Sequence, residues 1–314
     1  MKKFDIIVVT GGLGFIGKHF VRRCLELDCF VKNIDKVGYA SDRAIKREFE
    51  TFKNYRFYET DICTLDFLPE CDLFVNFAAE SHVDNAITNA HQFCTTNFLG
   101  VQNCLELVRL KADQERPLFL QISTDEVYGD IANGSHSEAD ALVPSNPYSA
   151  TKAAADMLVK SWGRTYGVEW NILRPANTYG HHQYPEKLIP KSTWRMLRHL
   201  PAVMHGDGRY VRCWLNVEDA VDAILTVVET GQRNQIYNVG SGEELKNIDV
   251  LRRIAAILGV PEDKAWLAVT DRSGQDIRYS LDDSKLRALG WAPKRRFDQE
   301  LEPIVRSFDS SRFI

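Results

Sequence analysis

No apolar run in this 314-residue chain approaches the 18 residues that a membrane-crossing helix needs, so a membrane partner is not expected. No two of its seven cysteines have C-x-x-C spacing. Cys24, Cys29, Cys63, Cys71, Cys94, Cys104 and Cys213 are odd in number and scattered, which indicates neither a disulfide framework nor a zinc site. They read as small buried apolar side chains in a reducing compartment, and the expected location is the cytoplasm. An excess of one charge is also missing. Lys and Arg number 39 against 43 Asp and Glu, a net −4, which gives no global field to hold a polyanion, so no nucleic-acid partner is expected. Repeats and low-complexity segments are absent. The opening MKKFDIIVVTGG carries an apolar stretch, but glycines interrupt it and no small-residue cleavage site follows, so it reads as a first strand and not a secretion signal. What is there is ordinary for a folded globular chain, with 44% hydrophobic and 26% charged residues. The length suggests one large domain or two.

Short runs rich in Val, Ile and Phe alternate with helical patterns. Strands are expected at residues 4–9, 29–34, 55–58, 73–77, 118–122 and 168–173, most of them nearly continuous in apolar character, as strands covered on both faces should be. Helices are expected at 93–110 and 149–166 between them. Such alternation predicts an α/β fold, a Rossmann-type doubly wound parallel sheet. After Arg174 prolines and glycines become frequent around a helix at 188–200. A helix at 217–229 and a strand at 235–239 look regular enough to rejoin the sheet, and short helices follow at 247–258 and 283–289. The expected division is a cofactor-binding domain of residues 1–178 plus about 213–238, with a smaller, interleaved α/β substrate domain of about 179–212 plus 239–314.

The first strand runs into Thr10-Gly11-Gly12-Leu13-Gly14-Phe15-Ile16-Gly17, and a helical pattern begins at once. Glycines let a backbone approach a pyrophosphate, and a helix N-terminus favours its charge. Gly11, Gly14 and Gly17 form G-x-x-G-x-x-G, a weak signal alone. Asp35, at the end of the second strand, strengthens it, because a carboxylate there accepts from ribose hydroxyls and repels a 2′-phosphate. NAD is therefore favoured over NADP, although Lys36 follows directly.

Two further clusters carry chemistry. Ser123-Thr124-Asp125-Glu126-Val127-Tyr128-Gly129 follows the fifth strand, at the carboxyl end where ligands of parallel sheets gather. Two adjacent carboxylates beside a hydroxyl suit a metal site, a solvated turn or an acid/base pair. Tyr148 and Lys152 open the next helix four residues apart, on one face, where an ammonium can stabilise a phenolate. A tyrosine so lowered is a base for an alcohol proton as hydride leaves.

Together these segments resemble the extended short-chain dehydrogenase/reductase superfamily and, within it, nucleotide-sugar 4,6-dehydratases of the dTDP-glucose type. The resemblance runs through TGGLGFIG at 10–17, NFAAESHVD at 76–84, STDEVYGD at 123–130, YSATKAAAD at 148–156, RPANTYG at 174–180, QYPEKLIP at 183–190 and DRSGQDIRY at 271–279. It implies a lyase with tightly bound, recycled NAD, acting on a nucleoside-diphosphate hexose. Tyr148, with Lys152, takes the C4 hydroxyl proton, Thr124 hydrogen-bonds the C4 oxygen, Glu126 removes the C5 proton, and Asp125, protonated, donates to the departing C6 hydroxyl. Asp125 must then hold a proton near neutral pH, which burial and a neighbouring carboxylate favour. The resemblance places Phe15, Ile16, Asp61, Ile62, Phe77, Ala78, Ala79 and Glu80, besides the glycines, Asp35, Lys36, Tyr148 and Lys152, at the cofactor. Ser81, Thr124, Asn177, Lys187, Leu188, Arg212, Asn238 and Arg272 fall at the substrate. It also implies a homodimer through the helices at 93–110 and 149–166.

The sequence departs from the family pattern in places. Asn85 stands where arginine is usual, His181-His182 replaces a Pro-Tyr pair, Cys213 replaces an aspartate, and Met204-His205 lies where an aromatic often stacks on the base. The base, thymine or uracil, is thus left open. No ligand set completes His181 and His182, and no metal is expected. The alternatives are a UDP-sugar 4-epimerase or UDP-glucuronate decarboxylase, which use the same redox pair, and a non-catalytic NAD sensor, for which a second carboxylate has no use.

Overall fold

The structure, a computed structural model, describes residues 4–313. Its strands in chain order are β1 (Ile6–Thr10), β2 (Phe30–Asp35), β3 (Tyr55–Glu59), β4 (Leu73–Asn76), β5 (Leu118–Ile122), β6 (Trp170–Pro175), β7 (Asn177–Tyr179), β8 (Ala202–His205), β9 (Val211–Asn216), β10 (Gln235–Val239), β11 (Glu244–Lys246) and β12 (Trp266–Val269). Seven of them form one parallel sheet in the order β10-β6-β5-β4-β1-β2-β3. Every residue of β4, β5 and β6 is buried, because helices cover both faces. Strand order reverses between β1 and β4, and a crevice opens there at the carboxyl ends.

Each expected strand of this sheet is present, with ends shifted by a residue or two, and β10 does rejoin it. The helix expected at 93–110 is interrupted. It is built of Ala90–Cys94, a π-helical stretch Thr95–Leu99 and Gly100–Arg109. The bulge turns Asn97 inward. Its Oδ1 accepts from the Glu80 amide at 2.8 Å, and its Nδ2 donates to the Glu80 carbonyl and the Thr151 hydroxyl at 2.9 and 3.0 Å. That exchange fixes the chain after β4 against the helix Pro147–Tyr166, at a place where π-bulges tend to mark function.

The second unit is built on β7-β9-β11 and the pair β8-β12, with helices Leu188–Met196, Asn247–Leu258 and Phe297–Arg306 around a core that includes Tyr179, Trp214, Ile254, Phe297 and Leu301. Two boundaries differ from the sequence expectation. β9 pairs with β7 and β11 and not with the parallel sheet, while Leu286 and Trp291, near the C-terminus, pack into the core of the large sheet. The chain crosses between units more often than composition alone suggests, since each segment goes where its apolar face finds cover.

Candidate active site

The crevice begins at the first turn. Gly11 has φ +70° and lies so close to the chain after β4 that a Cβ would sit 2.7 Å from the Ala78 amide nitrogen. A Cβ on Gly17 would collide with the Gly11 carbonyl, so the helix Phe15–Glu26 can pack on β1 only with glycine there. Gly14 caps that helix without any side-chain hydrogen bond, and it lines the crevice. An uncapped helix N-terminus reached through bare backbone is a site for a diphosphate.

Asp35 is buried at the end of β2. Its Oδ2 accepts from the Leu13 amide at 3.0 Å, and its Oδ1 from the Val37 amide and the Ser41 hydroxyl at 2.8 and 3.1 Å. Burial raises its pKa, with those donors opposing. Lys36 beside it is tied down, at 2.8 Å from Glu80 and 3.7 Å from Asp61. One branch of the crevice is lined by Asp35, Lys36, Asp61, Ile62, Phe77, Ala78, Ala79 and Glu80. Its carboxylates and occupied lysine offer no counter-charge to a 2′-phosphate, so the residues present fit NAD.

The other branch is lined by Phe15, Ile16, Ser81, Thr124, Asp125, Glu126, Tyr148, Lys152, Asn177, Lys187 and Leu188. Thr124 caps a 3-10 turn, Asp125–Tyr128, accepting from the Glu126 amide at 3.3 Å, and its hydroxyl donates to Asp125 Oδ1 at 3.2 Å. Asp125 Oδ2 is buried with no protein partner. Burial, with the Glu126 carboxylate beside it, pushes the Asp125 carboxyl up to about 7, so it carries a proton over much of the neutral range. Glu126 Oε2 accepts from Asn146 Nδ2 at 3.4 Å.

Tyr148 and Lys152 lie in the first turns of the helix Pro147–Tyr166, which Pro147 and an Asn146–Ser149 capping box start at this point. Both are buried. Lys152 Nζ donates to the Ile122 carbonyl at 2.7 Å, at the end of β5, and burial pushes its amine down to about 8. The phenol of Tyr148 is raised, first by burial and next by the Glu126 charge. Side-chain spacing alone suggests that Lys152 lowers Tyr148. In the structure the ammonium is held by a backbone carbonyl, and the environment of the phenol is dominated by burial and carboxylates.

The expected substrate residues divide. Asn177 and Leu188 line the catalytic branch, and so does Lys187, whose Nζ donates to the Ser81 carbonyl at 2.6 Å. Arg212, Asn238 and Arg272 do not line that branch as it stands. Arg212 donates to the Val211 and Asp276 carbonyls at 2.7 and 2.9 Å and lies 4.3 Å from the Tyr279 ring. Asn238 accepts from the Tyr128 hydroxyl at 2.8 Å and donates to the His136 and Asp282 carbonyls at 2.9 and 3.2 Å. Arg272 pairs with Asp84 at 3.1 Å and has a buried Nε without a partner.

Sequence reasoning missed a strap across the crevice mouth. Lys18 Nζ donates to Asp42 at 3.0 Å and to the His182 carbonyl at 2.6 Å. Tyr39 donates to Glu186 Oε2 at 2.8 Å, and its ring meets Tyr184 edge-on at 5.3 Å. Residues 182–187 of the second unit are thus stapled to the cofactor side. Partners so far apart in sequence leave no local signal. Among the described residues no group of three His, Cys, Asp or Glu is placed to hold a metal ion.

Comparison with known proteins agrees with this geometry. The family described as GDP-mannose 4,6 dehydratase matches residues 8–304. The chain is 44% identical over 304 residues to the low-salt glycan biosynthesis protein Agl12 of Haloferax volcanii, covering 95% of this chain and 97% of that one. It is 39% identical over 326 residues to the dTDP-glucose 4,6-dehydratase of Haemophilus influenzae, covering 96% of each. Among solved structures, DesIV, a dTDP-glucose 4,6-dehydratase from Streptomyces venezuelae with NAD and TYD bound, superposes with a TM-score of 0.90 at 37% identity over 96% of each chain. The glycine turn, the carboxylate turn and the Tyr–Lys helix, carried on matches that span nearly the whole chain, place this protein in the nucleotide-sugar 4,6-dehydratase family of the short-chain dehydrogenase/reductase superfamily.

Proposed function

We propose that the protein is an NAD-dependent hydro-lyase that converts a nucleoside-diphosphate glucose, dTDP-glucose first and UDP-glucose second, into its 4-keto-6-deoxy sugar. The observation that carries this reading is the buried carboxyl of Asp125, pushed up to about 7 beside Glu126 and within the same crevice as Tyr148. An epimerase or decarboxylase gains nothing from a held acid at this place. A dehydratase needs one to release hydroxide as water.

NAD, held by the glycine turn, Asp35 and the residues lining that branch, would supply the redox chemistry when bound, as hydride acceptor for C4 and donor for C6. The protein does the proton work. Tyr148, ionised with the Lys152 ammonium one helical turn away despite the burial that raises its phenol, takes the proton of the C4 hydroxyl, and the Thr124 hydroxyl steadies that oxygen. Once C4 is a ketone the C5 hydrogen is acidic, and Glu126 removes it. Asp125 gives its proton to the C6 hydroxyl, which leaves as water. The two carboxyls share one crevice. The proton that burial favours on Asp125 is what lets that carboxyl act as the acid. After water has left, Glu126 holds the proton that C5 takes back.

The same reading includes a homodimer in the cytoplasm, with the helices Gly100–Arg109 and Pro147–Tyr166 near the interface. Leu99, Leu110 and Met157 are exposed on or beside these helices. Light scattering on the purified protein checks it, and a monomer would refute it. No helix among the described residues is long and apolar enough to cross a membrane.

The functional test offers dTDP-glucose and UDP-glucose separately to purified protein without added reductant. Loss of one water by mass spectrometry is expected, with dTDP-glucose the better substrate. Conversion of UDP-glucose to UDP-galactose with no water loss would overturn the dehydratase reading.

A further inference from the structure

Behind the reacting groups lies a buried ion pair that the chemistry above leaves unused. Asp156 follows Tyr148 and Lys152 at one-turn intervals on the helix Pro147–Tyr166, so the three share a face. Its side chain is fully buried, and Oδ2 accepts from Arg174 Nε at 2.9 Å. Arg174, on β6, is only 1% exposed. Its Nη1 donates to the Tyr128 hydroxyl at 2.7 Å, and the guanidinium lies 4.7 Å from that ring. Tyr128 ends the same 3-10 turn that carries Asp125 and Glu126. One buried pair therefore joins the helix that bears Tyr148 and Lys152 to the turn that bears the carboxylates.

A buried ammonium is costly unless an opposite charge compensates it. Lys152 has the Ile122 carbonyl as its hydrogen-bond partner, and among the described residues it makes no salt bridge. We propose that Asp156 is a positioning residue for Lys152, its carboxylate supplying across one helical turn the counter-charge that keeps the buried side chain an ammonium, while Arg174 fixes that carboxylate against the Asp125–Tyr128 turn. The assignment rests on the dehydratase reading for the role of Lys152, not for its charge.

The ionisable groups that line the crevice with Lys152 are Tyr148 on its own helix and Asp125 and Glu126 on the turn after β5, and Asp156 lies one turn further along the helix, paired with Arg174 of β6. Asp156 is the one whose charge opposes the downward pull of burial on the amine. Burial raises the carboxyl of Asp156 itself, and the Arg174 guanidinium on Oδ2 and the Lys152 ammonium oppose that rise. Without the Asp156 charge, burial acts alone and the ammonium is lost at lower pH.

The test compares wild-type holoenzyme with Asp156→Asn by two readouts, kcat against pH and the titration of the Lys152 ¹³Cε resonance. That resonance is identified by its loss in Lys152→Met. The resonance midpoint should move at least ~1 pH unit lower in Asp156→Asn, and the alkaline limb, which Asp125 sets near 7 in the wild type, should steepen as Lys152 loses its proton in the same range, with KM little changed and Asp156→Glu restoring both. Should the single variant not fold, because Arg174 is left buried opposite a neutral group, the double variant Asp156→Asn/Arg174→Gln is expected to show the same shift. A resonance that titrates at the wild-type pH in either folded variant overturns the proposal, whatever happens to turnover. Absence of water loss from any sugar nucleotide in the wild type, with the resonance still shifted, would instead overturn the functional reading alone.

Discussion

The two sides of the crevice are built on different principles. On the sheet side, Thr124, Asp125, Glu126, Tyr148 and Lys152 are short-range neighbours on two sequence segments, fixed by a 3-10 turn and a capped helix. On the other side Lys187 lines the crevice, while Arg212 and Arg272, also expected at the substrate, lie outside its lining, and each of the three already uses its charge on the protein itself. The contrast teaches that the reacting groups of the proposed function are preorganised, whereas Lys187, Arg212 and Arg272 could reach a substrate only by giving up internal partners. Preorganised groups act through the transition state and exchanging groups through binding. Substitutions should divide accordingly.

The largest effect belongs to the sheet side. Tyr148→Phe should lower turnover by about 10²–10⁴-fold while NAD stays bound, as seen by absorbance of the released cofactor after denaturation. Turnover within tenfold of wild type would remove the contrast altogether.

Next comes a stability effect of pH. The Asp125 carboxyl has a folded-state value of about 7 against an ordinary 3.8. Its contribution to stability is therefore complete below about pH 4 and is lost as pH rises through 7, on the order of 4 kcal/mol when fully lost. Asp125→Asn should thus unfold at a higher temperature than wild type at pH 8, and the gain should vanish at pH 4. A gain of equal size at both pH values would show that the acid is not held protonated by the fold.

Smaller changes are expected on the substrate side. Arg272→Ala should raise KM roughly tenfold with kcat nearly unchanged, the pattern of lost uniform binding. A matching fall in kcat would move Arg272 into the preorganised group. The smallest effect is that of Tyr39→Phe, which cuts the strap at Glu186. Cofactor should leave a few-fold faster, by rapid-mixing fluorescence, because one hydrogen bond is worth about 1 kcal/mol net. An unchanged rate would mean that the strap does not hold the cofactor in.

Much of the fold was legible from local pattern. The strands of the parallel sheet are apolar runs between helical stretches, and Gly11 and Gly17 announced the turn because only a missing Cβ permits that approach. The second unit was harder to read. β7, β8, β11 and β12 have three or four residues and are only partly buried, and they, like the longer and buried β9, gain their place only from a partner elsewhere in the chain. The same holds for Asn97, whose bulge within a helix follows from a hydrogen bond to Glu80 that no helical period encodes.

For this protein, the sequence by itself determined which chemical groups are present and which of them are close. Glycine turns, adjacent carboxylates and a Tyr-x-x-x-Lys step are local, and local geometry follows from backbone rules. Tertiary structure alone decided the protonation of those groups. Burial raises the carboxyl of Asp125 to about 7 and lowers the ammonium of Lys152 to about 8, and the strength of both effects depends on water excluded by segments far away in the chain.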